Sequence, residues 1–463
     1  MRNDVDLSQD GTATEDARIA ALTRALAVRD AEVAGLKAAL QAATAAPAPA
    51  LGWRRAARQA ARRLVIGLLG QDRAARLAGR LRGGLGGEGA ELSRRVDRLR
   101  GRVGATPQAA RSPAAPFDPR RMRICWIIPD FIPGAGGHMT IFRIASHLES
   151  YGHEVSFLVQ SPSRYRSGAE AAQAINAHFQ PFRGRVEILG TDLPVLEGDA
   201  LVATDRFTCY PAQALAGFRR KFYFVQDHET LFYPMGTEAL LSENTYAMGF
   251  DCLCAGDWLA GLMRDRFGAW AMSWPLAYDP AAYFEDPGAP RAEDRIAFYG
   301  RYVTERRAVE LGVMALDILH ARGVRFHVDF FGWPLRGLRA GYAHTDHGVL
   351  GASALGALYR QATVGMVFSA TNHSLVNREM MACGLPVVDL DVEGVRAVFP
   401  GDVLHRARPD PEAIADALQA LLADPARRER LRAAGLAHVA GLSWDGAARL
   451  VERAIAARIA ETA

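Results

Sequence analysis

Residues 123–160 read RICWIIPDFIPGAGGHMTIFRIASHLESYGHEVSFLVQ, and this stretch decides the fold. The apolar run 123–129 predicts a short strand. Pro133-Gly134-Ala135-Gly136-Gly137-His138 then predicts a glycine loop, and the spacing over 139–151 a helix. Gly152-His153-Glu154-Val155 turns the chain into a second strand at 155–160. Strand, glycine loop, helix and strand make a βαβ unit that opens a doubly wound α/β fold. Glycines at Gly136 and Gly137 let backbone approach a ligand, and a helix N-terminus favours negative charge. The spacing is not GxGxxG, and no acid ends the second strand, so a nicotinamide-dependent oxidoreductase is disfavoured.

Further strands are predicted at 185–189, 200–203, 221–226 and 252–255. Phe224-Val225-Gln226-Asp227-His228-Glu229 places two carboxylates and an imidazole just past a strand end. That edge is where open α/β sheets bind ligands. Asp227 is the first candidate for a base that activates a hydroxyl, with Glu229, His138 and His228 behind it. The same residues would also serve as helix caps or arginine partners.

A second set of strand and helix signals starts at residue 294. Strand 295–299 runs into Gly300-Arg301-Tyr302-Val303-Thr304-Glu305-Arg306-Arg307 and a helix over 308–321. Arg301 and Arg306 stand where guanidinium forks suit a diphosphate. Strand 364–368 ends in Ser369-Ala370-Thr371-Asn372-His373-Ser374-Leu375, a polar loop entering a helix that carries Glu379. Backbone N–H groups there suit a phosphate or sugar, and a carboxylate suits two vicinal ribose hydroxyls. Asp389-Leu390-Asp391 has the spacing of a cation site but follows a strand rather than a suitable loop, so no metal site is expected.

The chain has 463 residues, 49% hydrophobic and 23% charged, which excludes a wholly disordered or collagen-like protein. Its formal net charge of +4 is unevenly spread: −2 over residues 1–50, +11 over 51–111 and −5 over the rest. Lys37 and Lys221 are the only lysines; every other basic residue is arginine. Ile19, Leu22, Leu26, Val33, Leu36 and Leu40 follow a heptad pattern. This segment either pairs with a second copy, as a homo-oligomer, or packs on its own chain. Trp53 and Leu64-Val65-Ile66, among arginines, fit either an anionic membrane surface or a solvated arginine face. Aromatic interleaving is too sparse for nucleic-acid binding. No apolar run is long enough to span a bilayer, and the acidic N-terminus is no signal peptide, so a cytoplasmic protein is expected, peripheral on the inner membrane if the arginines bind lipid. The five cysteines, an odd set in apolar stretches, predict buried thiols. The expected organisation is a heptad segment at 1–46, a basic helical region and linker at 47–116, two α/β domains at 117–275 and 276–440, and a last helix at 441–463.

Gly300, Arg301 and Arg306, with Glu379-Met380-Met381-Ala382-Cys383-Gly384-Leu385-Pro386-Val387, resemble the donor motifs of glycosyltransferase family 4. The resemblance covers roughly residues 122–460. Gly136-Gly137, Gly152-His153-Glu154-Val155, Pro275-Leu276-Ala277-Tyr278-Asp279 and Ser443-Trp444 fit other blocks of that family. It implies a GT-B fold, with two Rossmann-like domains facing a cleft behind a helical N-terminal extension. It also implies a retaining, metal-independent transfer of a sugar from a nucleotide-diphosphate donor, with no cofactor. Arg301 and Arg306 would take the diphosphate and Glu379 the ribose. The loop Thr371, Asn372, His373, Ser374 and Leu375 would hold the sugar and phosphate. Arg306 replaces the family's lysine, and Thr371 stands where its first motif glutamate falls. The 224–229 segment resembles the rhamnosyltransferase branch, which implies dTDP-L-rhamnose or another 6-deoxyhexose donor and a glycan or lipid-linked glycan acceptor. The alternative is a noncatalytic nucleotide- or glycan-binding module that keeps the fold.

Overall fold

The structure, a computed structural model, describes residues 88–190 and 192–461. The heptad segment and the basic stretch around Trp53 lie outside the described residues. A helix, Glu88–Val103, opens the described chain. Two parallel sheets follow. The first holds β1 (Arg123–Pro129), β2 (Glu154–Gln160), β3 (Arg185–Leu189), β4 (Gly198–Ala203), β5 (Phe218–Val225), β6 (Asp251–Ala255) and β7 (Ala271–Trp274). The second holds β8 (Arg295–Tyr299), β9 (His327–Phe331), β10 (Ala343–Asp346), β11 (Val364–Met366), β12 (Val387–Leu390) and β13 (His405–Ala407).

The sheet orders are β3-β2-β1-β4-β5-β6-β7 and β10-β9-β8-β11-β12-β13. Both reverse direction beside their first strand, between β1 and β4 and between β8 and β11. At such a switch point the strand-end loops diverge and leave a crevice. In the first sheet the crevice lies under the glycine loop after β1. In the second it lies between the Gly300–Arg307 turn and the loop after β11. Every strand pair in both sheets is parallel, and the central strands are buried on both faces, which is why they read as continuous apolar runs rather than alternating ones.

Each sheet has its own aromatic core. Trp126 meets Phe224 edge-on at 5.3 Å, and Phe224 stacks on Trp274 at 4.7 Å. In the second sheet Phe298 contacts Phe330 and Phe368. Helix Val309–Ala321 lies close on that core because Gly312 leaves room: a Cβ there would sit 2.4 Å from the Phe298 ring. All five cysteines are free and buried. The last helix, Trp444–Ala460, packs Trp444, Val451, Ile455 and Ile459 into the first sheet's core. Arg458 and Arg220 both pair with Asp251, which fixes that helix to the sheet.

The linker expected at the end of 47–116 is bonded to the first sheet's domain. The Gln108 amide donates to the Leu193 and Pro194 carbonyls, and Arg111 Nη2 donates to the Leu196 carbonyl at 2.8 Å. A proline- and alanine-rich segment has little side-chain packing of its own, so these two long polar side chains supply the attachment.

Candidate functional site

The loops at the C-terminal strand ends of the two sheets face one another. After β5, Gln226-Asp227-His228 leads into a 3-10 turn, Glu229–Phe232. A Cβ on Gly137 would come within 3.6 Å of the Gln226 amide, so the glycine loop lies directly over this strand end. After β8 the chain makes its own 3-10 turn, Glu305–Arg307, and Ala308 takes a positive φ of 42° before the next helix. The Ala370 N–H donates to the Arg306 carbonyl, which joins this turn to the loop after β11.

That loop is pinned to the opposite domain. Thr371 Oγ1 donates to Asp227 Oδ2 at 3.0 Å, and the Asn372 N–H donates to Asp227 Oδ1 at 3.1 Å. Asn372 Nδ2 donates to the carbonyls of Gln226 and Ala255. Arg306 reaches across as well: its Nε lies 3.4 Å from Asp227 Oδ2, and its guanidinium covers the Phe232 ring at 4.3 Å. Leu375 packs against the first sheet's core. Thr371, Asn372, His373 and Ser374 are all buried. The loop expected to offer its N–H groups to a donor thus has the Asn372 N–H bonded to the carboxylate that the opposing strand end presents, and the Ala370 N–H bonded to the Arg306 carbonyl of its own domain.

From behind, the loop is braced within its own domain. Half-buried Arg307 donates to the Phe368 carbonyl and to Ser369 Oγ. Asp389 accepts from the Ser369 N–H, the Leu390 N–H and Asn377 Nδ2. Burial pushes the Asp389 carboxyl up to about 7 against the pull of these donors. Asp391 pairs instead with Arg396 and Arg406. Among the described residues no group of three or more His, Cys, Asp or Glu is placed to hold a metal ion.

Ser374 caps helix Leu375–Ala382, accepting from the Val376 N–H, and the helix carries Glu379 toward the cleft. Burial pushes the Glu379 carboxyl up to about 7, while Arg143 from the opposite domain and the Tyr283 phenol oppose the rise. Arg301 donates to Thr304 Oγ1 and lies over the Trp333 ring at 5.4 Å; no carboxylate pairs with it among the described residues.

The three expected catalytic groups are each engaged. Asp227 has four partners: the His228 N–H, Asn372, Thr371 and Arg306. Glu229 lies inside the first domain, accepting from the Arg206 N–H at 2.8 Å and from the Tyr223 phenol. Burial, reinforced by Asp205 and opposed by Arg206, pushes its carboxyl up to about 8. His138 Nε2 faces the Pro129 carbonyl at 3.4 Å, and burial holds its pKa below the ordinary value. His228 packs against Tyr246 and Trp258. Arg143, Tyr283 and Arg307 were missed from sequence. Only Arg307 carried a signal, standing beside Arg306; Tyr283 and Arg143 reach Glu379 through the tertiary fold alone.

Residues 293–424 match the family described as glycosyl transferases group 1. Over 344 residues the chain is 32% identical to the O-antigen biosynthesis protein RfbC of Myxococcus xanthus, covering 69% of this chain and 26% of that one. A shorter stretch of 94 residues is 43% identical to D-inositol 3-phosphate glycosyltransferase 1 of Catenulispora acidiphila, covering 19% of this chain and 22% of that one. The chain thus spans about a quarter of the length of these curated relatives. Among solved structures, sucrose-phosphate synthase of Thermosynechococcus elongatus superposes with a TM-score of 0.55 at 15% identity, covering 74% of this chain and all of that one. Anabaena HepE, solved in complex with UDP and glucose, gives a TM-score of 0.55 at 13% identity over the same shares. Two parallel α/β domains flanking a cleft, behind an N-terminal helix, make this the GT-B fold.

Proposed function

We propose that the chain is a glycosyltransferase that moves a sugar from a nucleotide-diphosphate donor onto a surface-glycan acceptor. One observation carries this reading: the arginine turn after β8 and the loop after β11 are bonded to one another at the switch point of the second sheet, with Glu379 on the helix that follows. Arg301, with no carboxylate partner among the described residues, takes the diphosphate together with Arg306. Glu379 accepts from the ribose hydroxyls. The name of the Myxococcus xanthus relative supports a surface-glycan product. L-rhamnose or another 6-deoxyhexose is the proposed sugar, supported by the 224–229 segment.

The chemistry follows from which groups remain available. The bond between the sugar's anomeric carbon and the diphosphate breaks, and charge develops on the departing oxygen. Arg301, Arg306 and the helix N-terminus behind Ser374 stabilise it. Asp227 is held by four partners and Glu229 is raised toward its neutral form, so the departing phosphate oxygen takes the acceptor hydroxyl's proton. The new bond forms on the face the diphosphate leaves, which retains the anomeric configuration.

A thermal-shift panel of nucleotide sugars and free nucleotides tests the donor, since a ligand of the folded state raises apparent stability by mass action. Transfer from the donor found there to a glycan acceptor, unchanged by EDTA, is the expected result. Tight nucleotide binding with neither transfer nor donor hydrolysis would replace the enzyme with a binding module. The N-terminal stretch is proposed to hold the chain at an anionic membrane surface and to pair with a second copy. Failure of the full chain to sediment with anionic vesicles at low salt would remove the membrane part.

A further inference from the structure

Five contacts cross the cleft at one point, and one carboxylate receives three of them. Asp227 accepts from Thr371 Oγ1 and the Asn372 N–H and pairs with Arg306; Asn372 Nδ2 adds bonds to Gln226 and Ala255. One of these contacts, that of Arg306, differs in kind from the others. The Thr371 and Asn372 bonds are buried and short, and neither donor has another acceptor for the same hydrogen among the described residues. The Arg306 contact is longer, and its guanidinium is the more exposed partner, with 32% of the side chain accessible against 13% for Asp227. Arg306 Nε lies beyond good hydrogen-bond length from every acceptor in the structure. A guanidinium on an aromatic face, weakly bonded at Nε, is a cation that a stronger anion can draw away.

We propose that Asp227 is a positioning residue that clasps the loop after β11 to the first domain, with Arg306 as its exchangeable partner. A donor diphosphate competes with Asp227 for that guanidinium. This rests on the donor reading above and adds a consequence for motion. Before the donor arrives, Asp227 neutralises Arg306 and holds the loop in place. When a diphosphate engages Arg306, Asp227 keeps only its neutral donors, and the clasp loosens as the donor enters. Because the Arg306 carbonyl accepts from the Ala370 N–H, displacement of the arginine turn is passed directly to the loop. Arg307, fixed from behind by Phe368 and Ser369, Asp389, held by Ser369 and Asn377, and Glu229, turned inward to Arg206, also lie near the clasp, and none of them bonds to Thr371 or Asn372. None is placed to replace Asp227.

The full chain is tested with UDP and inorganic pyrophosphate as probes, by calorimetry and by hydrogen exchange over residues 369–375. Asp227→Asn removes the charge that competes for Arg306, so UDP should bind about two- to fivefold tighter, the worth of a partly exposed ion pair. In an Arg306→Ala background the same change should give no gain. Thr371→Val removes only the hydroxyl on the far side of the cleft. It should speed exchange over 369–375 severalfold in ligand-free protein without tightening UDP. Saturating pyrophosphate should speed the same exchange in the unaltered chain. Unchanged or weaker UDP binding in Asp227→Asn, or a gain that persists without Arg306, would overturn the exchange between partners. Unchanged exchange in Thr371→Val would overturn the clasp. If neither probe binds the unaltered chain, the donor reading falls, and the Thr371→Val result alone judges the clasp.

Discussion

The two strand-end edges that face the cleft carry opposite charge and hold it differently. On the first sheet the charge is acidic and already partnered: Glu229 lies among Arg206, Tyr223 and Asp205, and Asp227 is saturated by donors from across the cleft. On the second sheet the charge is basic and layered. Arg307 is half-buried and committed to the loop, whereas Arg301 pairs with no carboxylate among the described residues and Arg306 is held loosely. The difference assigns work. A cation with no carboxylate partner among the described residues can meet an arriving anion, whereas a carboxylate that accepts three hydrogen bonds and faces an arginine is placed to position its neighbours.

The sharpest way to break this contrast is to remove the committed layer. Asp389→Leu strands three buried donors, on Ser369, Leu390 and Asn377. Each lost acceptor costs about 1–3 kcal/mol, so the second domain should lose at least about 3 kcal/mol of stability in urea unfolding. A loss under about 1 kcal/mol would mean that solvent reaches the brace and that the loop is not fixed from behind.

Next in size is the uncommitted cation. Arg301→Ala should weaken UDP binding by about 1.5–3 kcal/mol, the range for a charge-assisted hydrogen bond. Its effect on stability should be small, because it gives up one bond to Thr304 and a stacking contact with Trp333. Equal losses of stability and affinity would erase the distinction between committed and uncommitted arginines.

These two residues also mark how far the sequence could be read. The repeated order of apolar run, turn and helical spacing made the doubly wound halves legible, because the period of each element is local. Arg301, Arg306 and Glu379 were legible as chemistry, since each follows a strand end or sits on the helix that opens there. The clasp was not: Asp227 and Thr371 are 144 residues apart, and no local pattern joins them. Nor was the attachment of residues 104–116, where Gln108 and Arg111 bond to carbonyls about 85 residues on. The short edge strands β7, β10 and β13 were missed because three or four residues, such as Ala343–Asp346, are too few to show a period.

Glu379 offers a pH test of the same contrast. Burial raises its carboxyl to about 7, yet a ribose needs it as an acceptor. Affinity for a nucleoside diphosphate should therefore rise as pH passes upward through about 7, and Glu379→Gln should flatten that rise. Pyrophosphate, which has no ribose, gives the control for titration of the phosphates. A profile identical in both variants would place the ribose elsewhere.

The smallest expected effect is at Glu229, and it separates an interior acid from a working one. Its carboxyl is raised to about 8 in the folded state, by burial first, whereas an unfolded glutamate titrates near 4.5. The folded state therefore holds a proton that the unfolded state releases, and stability falls as pH rises from about 4.5 to about 8. Glu229→Gln mimics the protonated form. Near pH 5 its stability should match the unaltered chain within about 0.5 kcal/mol, the ordinary scatter for a substitution that removes no contact. Above about pH 8 the variant should be the more stable of the two, because it no longer carries a buried charge. Turnover at neutral pH should change little, since a protonated carboxyl cannot accept the acceptor's proton. A hundredfold fall in turnover, with stability and UDP affinity unchanged, would instead make Glu229 the base and turn the first sheet's edge from a positioning surface into a catalytic one.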